Sequence, residues 1–293
     1  MGRAEWFRSF CSNIQVQNGG TISTRYKRIT KQLNTDFWST ISDTAHSLYV
    51  GSYGRNTATK DFSDLDVIFQ LPNSLYGRYS SYSCNGQSVL LNAVKTSIKK
   101  TYPRTSMRAD GLVIVVPFTD NIKFEIMPAF LNSDNSYKYP DSNNGGSWRI
   151  TNPKPEIQAI KDRNKSCNNN LIPLCRMARA WRDKWQVHIS GLHIDTLAYQ
   201  FIEKYIYRDK SYLYYDCMCR DFFKWMADQN ASQKRWRALG SGQDVKKKGP
   251  FRNEARQCYN IALKAITHES TTPKRESSAK KKWREIFGND FPE

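Results

Sequence analysis

The chain has 293 residues, 39% of them hydrophobic, with 45 Lys and Arg against 27 Asp and Glu and a formal charge of +18. That length buries a sizeable core in one large domain or two joined lobes, and no stretch is long and apolar enough to cross a bilayer, so no membrane is expected as a partner. The cationic balance favours polyanions, nucleotides or nucleic acid, as ligands. Seven cysteines, an odd number without disulfide-framework spacing, suit a reducing cytoplasm. The opening MGRAEWFRSFCSNI lacks an apolar h-region, so secretion is not expected. Trp6 stands where a myristoylation signal after Met1-Gly2 would carry Ser or Thr.

Apolar residues at Tyr26, Ile29, Leu33, Phe37 and Ile41 predict a helix over 24–42. Leu48-Tyr49-Val50 reads as a short strand running into Gly51-Ser52, and Leu65 to Leu71 as a strand stopped by Pro72. Residues 73–86 are Ser-, Tyr-, Asn- and Gly-rich and read as a loop. Leu90, Val94, Ile98 and Tyr102 give a second amphipathic helix. Leu112 to Phe118 and Ile122 to Met127 form a hairpin across Thr119-Asp120-Asn121. Residues 132–148 read as a long loop, after which Asn152-Pro153 and Pro155 open a helical region. Helices are predicted over 156–167, 171–187, 194–207, 212–229 and 251–266, with a mobile loop at 239–250 and a polar linker at 269–280. Strands followed by helices predict an α+β protein: a mixed-sheet core over 1–155 and an α-helical lobe with a basic C-terminal region over 156–293.

Three acids carry the chemistry. Strand side chains alternate faces, so Asp64 and Asp66 point together while Leu65, Val67, Phe69 and Leu71 point the other way. Glu125 likewise projects opposite Ile122, Phe124 and Ile126. Adjacent strands would bring three carboxylates together, which repel unless a cation lies among them. Oxygen-only ligands favour Mg²⁺, with Mn²⁺ as the alternative. An Asp-x-Asp pair alone is also the pattern of a solvated strand edge. The Gly51-Ser52 step shortly upstream, small enough to admit a triphosphate, and the later strand glutamate favour a site for nucleotidyl transfer with two Mg²⁺ ions. Arg55 is close enough in sequence to assist Gly51 and Ser52, and Thr57 is placed to cap the following turn or support the loop.

Gly-Ser, a spacer, Asp-x-Asp and a third strand acid resemble the DNA polymerase β-like nucleotidyltransferase superfamily. The string Gly51-Ser52-Tyr53-Gly54-Arg55-Asn56-Thr57-Ala58 with Ser63-Asp64-Leu65-Asp66 is similar to the bacterial CD-NTase family, the cGAS/DncV-like nucleotidyltransferases of anti-phage (CBASS) signalling. Met127-Pro128-Ala129-Phe130, Ser147 to Pro155, Arg176 to Trp181 and His193 to Leu197 follow in the family's order, over roughly residues 20–210. The resemblance implies an enzyme that joins NTPs, without a template, into a cyclic di- or trinucleotide that activates a downstream effector. It places Arg179 where the family has a triphosphate-contacting lysine. It leaves Gly191 and Leu192 where the family has a serine and a stacking tyrosine, with Ser190 as the substitute for that serine. No cysteine spacing matches the zinc ribbon of the animal cyclic GMP-AMP synthase.

From Ala231 to Glu293 there are 15 Lys and Arg against 7 Asp and Glu. Lys234, Arg235 and Arg237, then Lys246, Lys247 and Lys248, then Lys280, Lys281 and Lys282 alternate with tryptophans in a manner suited to phosphate contacts and stacking. An activating RNA is the candidate ligand of this surface. Two other functions fit the same residues: template-independent addition of nucleotides to an RNA 3′ end, and non-enzymatic nucleic-acid binding by a decayed transferase fold.

Overall fold

Strand alternation builds the first of the two units into which the chain divides, Gln17–Gly54 with Phe62–Lys154. The computed structural model describes residues 2–62 and 64–293. Met1 and Ser63 lie outside the described residues, and with them the start of the myristoylation reading and one serine of the motif string. The strands are β1 (Ser47–Tyr49), β2 (Asp64–Leu71), β3 (Arg108–Asp110), β4 (Val113–Pro117), β5 (Lys123–Leu131), β6 (Tyr137–Asp141) and β7 (Ser147–Thr151). They form one mixed sheet in the order β1-β2-β5-β4-β3, with β6 extending from β5 and β7 from β6. β2 and β5 are parallel, and every other pair in this sheet is antiparallel.

Leu65, Val67, Phe69, Phe124, Ile126, Ile114 and Val116 are buried beneath the helices Gly19–Trp38 and Gly86–Thr101. These helices present Ile22, Ile29 and Leu33, and Leu90, Val94 and Ile98, at the helical period. The β4–β5 hairpin turns through Asn121, whose φ of 64° is the left-handed conformation asparagine tolerates. The expected loop at 132–148 is instead mostly the β6–β7 hairpin, in which Tyr137 pairs Thr151 and Asp141 pairs Ser147. Its Asn, Asp, Gly and Pro content hid the strand pair. The predicted loop at 73–86 contains the short helix Ser74–Ser80.

The second unit comprises Met1–Val16, Arg55–Asp61 and Pro155–Glu293. It is wider than the expected 156–293. Trp6, Phe7, Phe10 and Cys11 of the helix Arg3–Asn13 belong to the same buried cluster as Trp181, Phe222, Trp283, Phe287 and Phe291. Around that cluster run the helices Pro153–Ser166, Leu171–Lys184, Gly191–Lys204, Tyr215–Ala227, Arg252–Ser270 and Glu276–Phe287. The last takes over the second half of the expected polar linker: Ala279, Trp283, Ile286 and Phe287 form a buried stripe within a highly charged sequence. The expected loop at 239–250 holds part of a small hairpin, β8 (Arg235–Arg237) against β9 (Asp244–Lys246), with Trp236 and Val245 turned inward.

Phe10 packs on Phe287 and Phe291 at ring-centroid distances of 4.7 and 5.3 Å. Phe10→Ala is therefore expected to lower stability by about 3–5 kcal/mol, measured by denaturant unfolding followed through helical circular dichroism. A loss below about 1 kcal/mol would mean that the N-terminal helix is not part of this core.

Candidate active site

Parallel register decides the geometry of the acids. Asp66 pairs Glu125 and Asp64 pairs Lys123, so all four side chains leave the same face of the sheet. Adjacent strands lie about 4.8 Å apart, which brings the Asp66 and Glu125 carboxylates into one electrostatic neighbourhood. Partial burial and the charges of Asp64 and Asp66 together push the Glu125 carboxyl above its ordinary range. Lys123 answers this charge: its Nζ lies 2.5 Å from Asp64 Oδ1 and 3.8 Å from Glu125 Oε1. The Asp64 contact holds the Lys123 ammonium above its usual range. Nothing in the sequence marked Lys123 as more than a neighbour of Glu125. Farther along the same face, Ile68 and Ala129 are buried with Val50 and Tyr137, so an apolar patch follows the acids along the strands.

Gly51 ties the phosphate-cradle candidate to this face. The Val50 N–H donates to the Asp66 carbonyl at 2.9 Å, which docks the chain on β2 just before the one-turn helix Gly51–Gly54. Gly51 has φ +61°, and a Cβ there would fall on the Asp66 carboxylate. Only glycine allows this backbone conformation and this approach together. Ser52 follows directly, half-buried. Behind the loop, Tyr49 stacks on Tyr26 at 4.0 Å and meets Tyr53 at 4.8 Å.

The other residues expected to touch nucleotide are engaged within the helical unit. Asp195 is fully buried. It accepts from Arg55 Nε at 2.9 Å, from Arg179 Nη2 at 2.7 Å and from the Thr57 hydroxyl at 2.9 Å. Arg55 also reaches Glu156 at 3.3 Å. Burial opposes ionisation of Asp195, yet the guanidiniums of Arg179 and Arg55 outweigh it and hold the carboxyl below its usual range. Arg179 is the residue that the resemblance places at the triphosphate. Its guanidinium is buried on Asp195 and on the Gly191 carbonyl, and a Cβ at Gly191 would strike it. Ser190 is the N-cap of Gly191–Lys204, its Oγ accepting from the His193 N–H at 3.3 Å. Asn56 takes φ +58° and accepts from Arg176 through both its carbonyl and its side chain, a partnership invisible in sequence.

These features agree with what comparison finds. A family model for the Second Messenger Oligonucleotide or Dinucleotide Synthetase (SMODS) domain matches residues 1–164. The chain belongs to this family. It is 23% identical over 176 residues to a "Probable cyclic nucleotide synthase" of Bacillus cereus (strain VD146), a match covering 58% of this chain and 51% of that protein. The matched stretch thus spans about half the length of that relative. E. coli MS115-1 CdnC, solved with HORMA-deltaN, superposes with a TM-score of 0.70 at 14% identity, covering 99% of this chain and 98% of that one. The Bradyrhizobium diazoefficiens CD-NTase CdnG, solved with GTP, gives 0.66 at 12% identity over 97% and 94%. At these identities the structures establish the fold, which is α+β and CD-NTase-like, as the order of motifs predicted.

In this SMODS chain the basic residues divide into two groups. Lys234, Arg235, Lys246, Lys247 and Lys248, with Gly249 and Pro250, line an open cleft of about 540 Å³ beside the β8–β9 hairpin. Arg235 and Arg237 both pair with Asp244, at 2.9 and 3.1 Å. Lys280 instead donates to the Glu293 carbonyl at 2.5 Å and Lys282 pairs with Glu285 at 2.7 Å, while Lys281 is exposed. As to a metal, among the described residues no three His, Cys, Asp or Glu side chains stand close enough to hold an ion. The donor chemistry nevertheless suits a hard divalent cation. Asp64, Asp66 and Glu125 share one face and one field, and an ammonium is already drawn to two of them.

Two outcomes follow from these charges. Asp195→Asn leaves the buried Arg179 guanidinium without its counter-charge and Arg55 with Glu156 alone, and about 3–5 kcal/mol of stability should be lost at pH 7. Because the folded Asp195 carboxyl is held low, this stabilisation is present above the free carboxylate value of about 4 and disappears as pH falls through the folded value. Chemical denaturation of both forms at pH 7 and below pH 4 checks it; an unchanged difference would sink the assignment. Glu125 has the opposite sign. Its raised carboxyl means that ionised Glu125 costs stability at neutral pH, so Glu125→Gln should raise Tm at pH 7.5 in chelator. That gain should fade as pH falls into the carboxylate range. A lower Tm for Glu125→Gln at pH 7.5 would contradict it.

Proposed function

We propose that this chain is a nucleotidyltransferase that condenses NTPs into a cyclic di- or trinucleotide messenger for bacterial anti-phage signalling of the CBASS type, in the cytoplasm. The observation that carries the reading is the register of β2 on β5, which sets Asp66 opposite Glu125 with Gly51 against Asp66, in a chain of the SMODS family. The name of the Bacillus cereus relative supports cyclic nucleotide synthesis.

In this reading Asp64, Asp66 and Glu125 hold two Mg²⁺ ions, with Mn²⁺ as a substitute. The ions, when bound, make a ribose hydroxyl acidic enough to attack and neutralise charge on the α-phosphate and leaving pyrophosphate. Gly51 and Ser52 cradle the donor's outer phosphates through backbone N–H groups and the Ser52 hydroxyl. The apolar patch of Ile68 and Ala129 keeps water from one side of the acids. Arg55, Thr57 and Arg179 act by fixing the segment after the loop through Asp195 rather than by touching phosphate.

The cleft lined by Lys234, Arg235 and Lys246 to Lys248 supports an RNA activator. CdnC of E. coli MS115-1 forms a complex with HORMA-deltaN, so a protein partner is the competing arrangement. The cyclic product would act on a downstream effector.

Incubating the chain with all four NTPs and Mg²⁺, with and without RNA, and analysing products by mass spectrometry tests the reading. Phosphatase-resistant cyclic oligonucleotides are expected, and Asp64→Asn or Asp66→Asn should reduce them by about a thousandfold or more while the circular dichroism spectrum is kept. Label appearing solely on added RNA ends would establish the RNA-end transferase instead. Products made equally by the Asp variants would end the catalytic assignment.

A further inference from the structure

The acid face contains its own cation. Lys123 stands opposite Asp64 in the parallel register and two residues before Glu125, so its side chain leaves the sheet among the carboxylates. Its Nζ is 2.5 Å from Asp64 and 3.8 Å from Glu125. The side chain is 35% exposed, on a four-carbon stem free to swing. An ammonium and a hard divalent ion seek the same oxygens, but Mg²⁺ needs several of them together at about 2.0–2.1 Å in octahedral order, which an ammonium does not require. With Lys123 in place, the acids do not converge on a common point among the described residues.

We propose that Lys123 is a placeholder for the metal. It neutralises Asp64 and Glu125 in the metal-free protein and competes directly with the incoming divalent ion. When that ion arrives with a nucleoside triphosphate, Lys123 leaves the carboxylates and its ammonium passes to a phosphate oxygen. The inference rests on the metal reading above and adds an order of loading to it. A bare ion must displace an ammonium that then has no anionic partner, whereas an ion bound to a triphosphate brings that partner with it. Metal and nucleotide therefore bind cooperatively, and the coupling passes through one side chain. A charged side chain shuttling between two anions needs no change in the sheet, so the backbone of β2 and β5 serves both states.

The test uses Mn²⁺ as probe and the full chain, with free Mn²⁺ followed by electron paramagnetic resonance, in the absence and presence of a triphosphate with a methylene bridge between its α- and β-phosphorus atoms. Lys123→Met should bind Mn²⁺ without nucleotide about tenfold or more tightly than wild type, and the nucleotide-dependent gain should shrink by a similar factor. Lys123→Arg, which keeps a cation at the site, should stay within about threefold of wild type. Arg108 supplies the control for simple charge removal. It lies in the same cross-sheet row, opposite Val115 and so in line with Glu125, but its guanidinium is 64% exposed and pairs with Asp110. Arg108→Gln should change Mn²⁺ affinity by no more than about threefold, because an exposed charge is screened. If Lys123→Met gains no more than Arg108→Gln, Lys123 is not a competitor and the inference is overturned, while the metal reading stands. If Mn²⁺ binds to no form, or binds Asp66→Asn as well as wild type, the metal reading itself fails and the inference with it. Circular dichroism of each variant identifies a misfolded protein, and for Lys123→Met the Arg variant then decides: weakened or strengthened Mn²⁺ binding beyond threefold would count against competition.

Discussion

Like charges forced together by a backbone register are the constraint from which the candidate site follows. A one-residue slip of Asp66 against Glu125 would turn Leu65, Val67, Phe69 and Leu71 to the wrong face. Leu65, Val67, Phe69 and Leu71 are fully or almost fully buried, so the core fixes the register and the register fixes the carboxylates. Burial and this repulsion together raise the Glu125 carboxyl, and a lysine is drawn onto Asp64. A sheet assembled this way gathers negative charge on one face. The hydrophobic energy of one face maintains the electrostatic strain of the other.

The helical unit treats buried charge in the reverse manner. Asp195 is surrounded by two guanidiniums and a hydroxyl, with Glu156 beside the second guanidinium, that of Arg55. Each group has a partner of opposite sign, so the network can be fully buried, whereas the carboxylate trio must remain partly open. Moving the Arg179 guanidinium outward would leave Asp195 with Arg55 and Thr57 as its partners. Gly191 belongs to the same arrangement, since any side chain there would occupy the space of the Arg179 guanidinium.

What the sequence made legible was local. Alternation along Asp64 to Leu71 and Ile122 to Met127 fixed which side chains share a face, because period two needs no tertiary information. The helices with long apolar stripes were equally readable. The N-terminal stripe of Trp6, Phe7, Phe10 and Ile14 and the stripe of Ala279, Trp283, Ile286 and Phe287 carried the same signal. In the first, the stripe is short and broken by Arg8 and Ser9; in the second, a run of lysines masks it. Long-range pairings were not readable. Arg55 and Asp195 are 140 residues apart and Arg176 and Asn56 are 120 apart, and nothing in their local sequence distinguishes a buried ion pair from solvated charges. Lys123 illustrates the same limit at short range, because a lysine on the polar face of a strand reads as a solvated residue until its neighbours across the sheet are known.

The two left-handed positions near the start of the motif string separate chemical from merely conformational demand. Gly51 and Asn56 have nearly equal φ, +61° and +58°, so backbone geometry alone would permit glycine or asparagine at either. At position 56 the side chain is useful: it accepts a hydrogen bond from Arg176, and asparagine serves better than glycine. At position 51 any side chain would enter the Asp66 carboxylate. The glycine there is therefore set by the acid and not by the turn. It follows that the phosphate-cradle candidate and the carboxylates are one construction, with backbone pressed directly on an acid, and no substitution at either Gly51 or Asp66 can leave the other's surroundings unchanged.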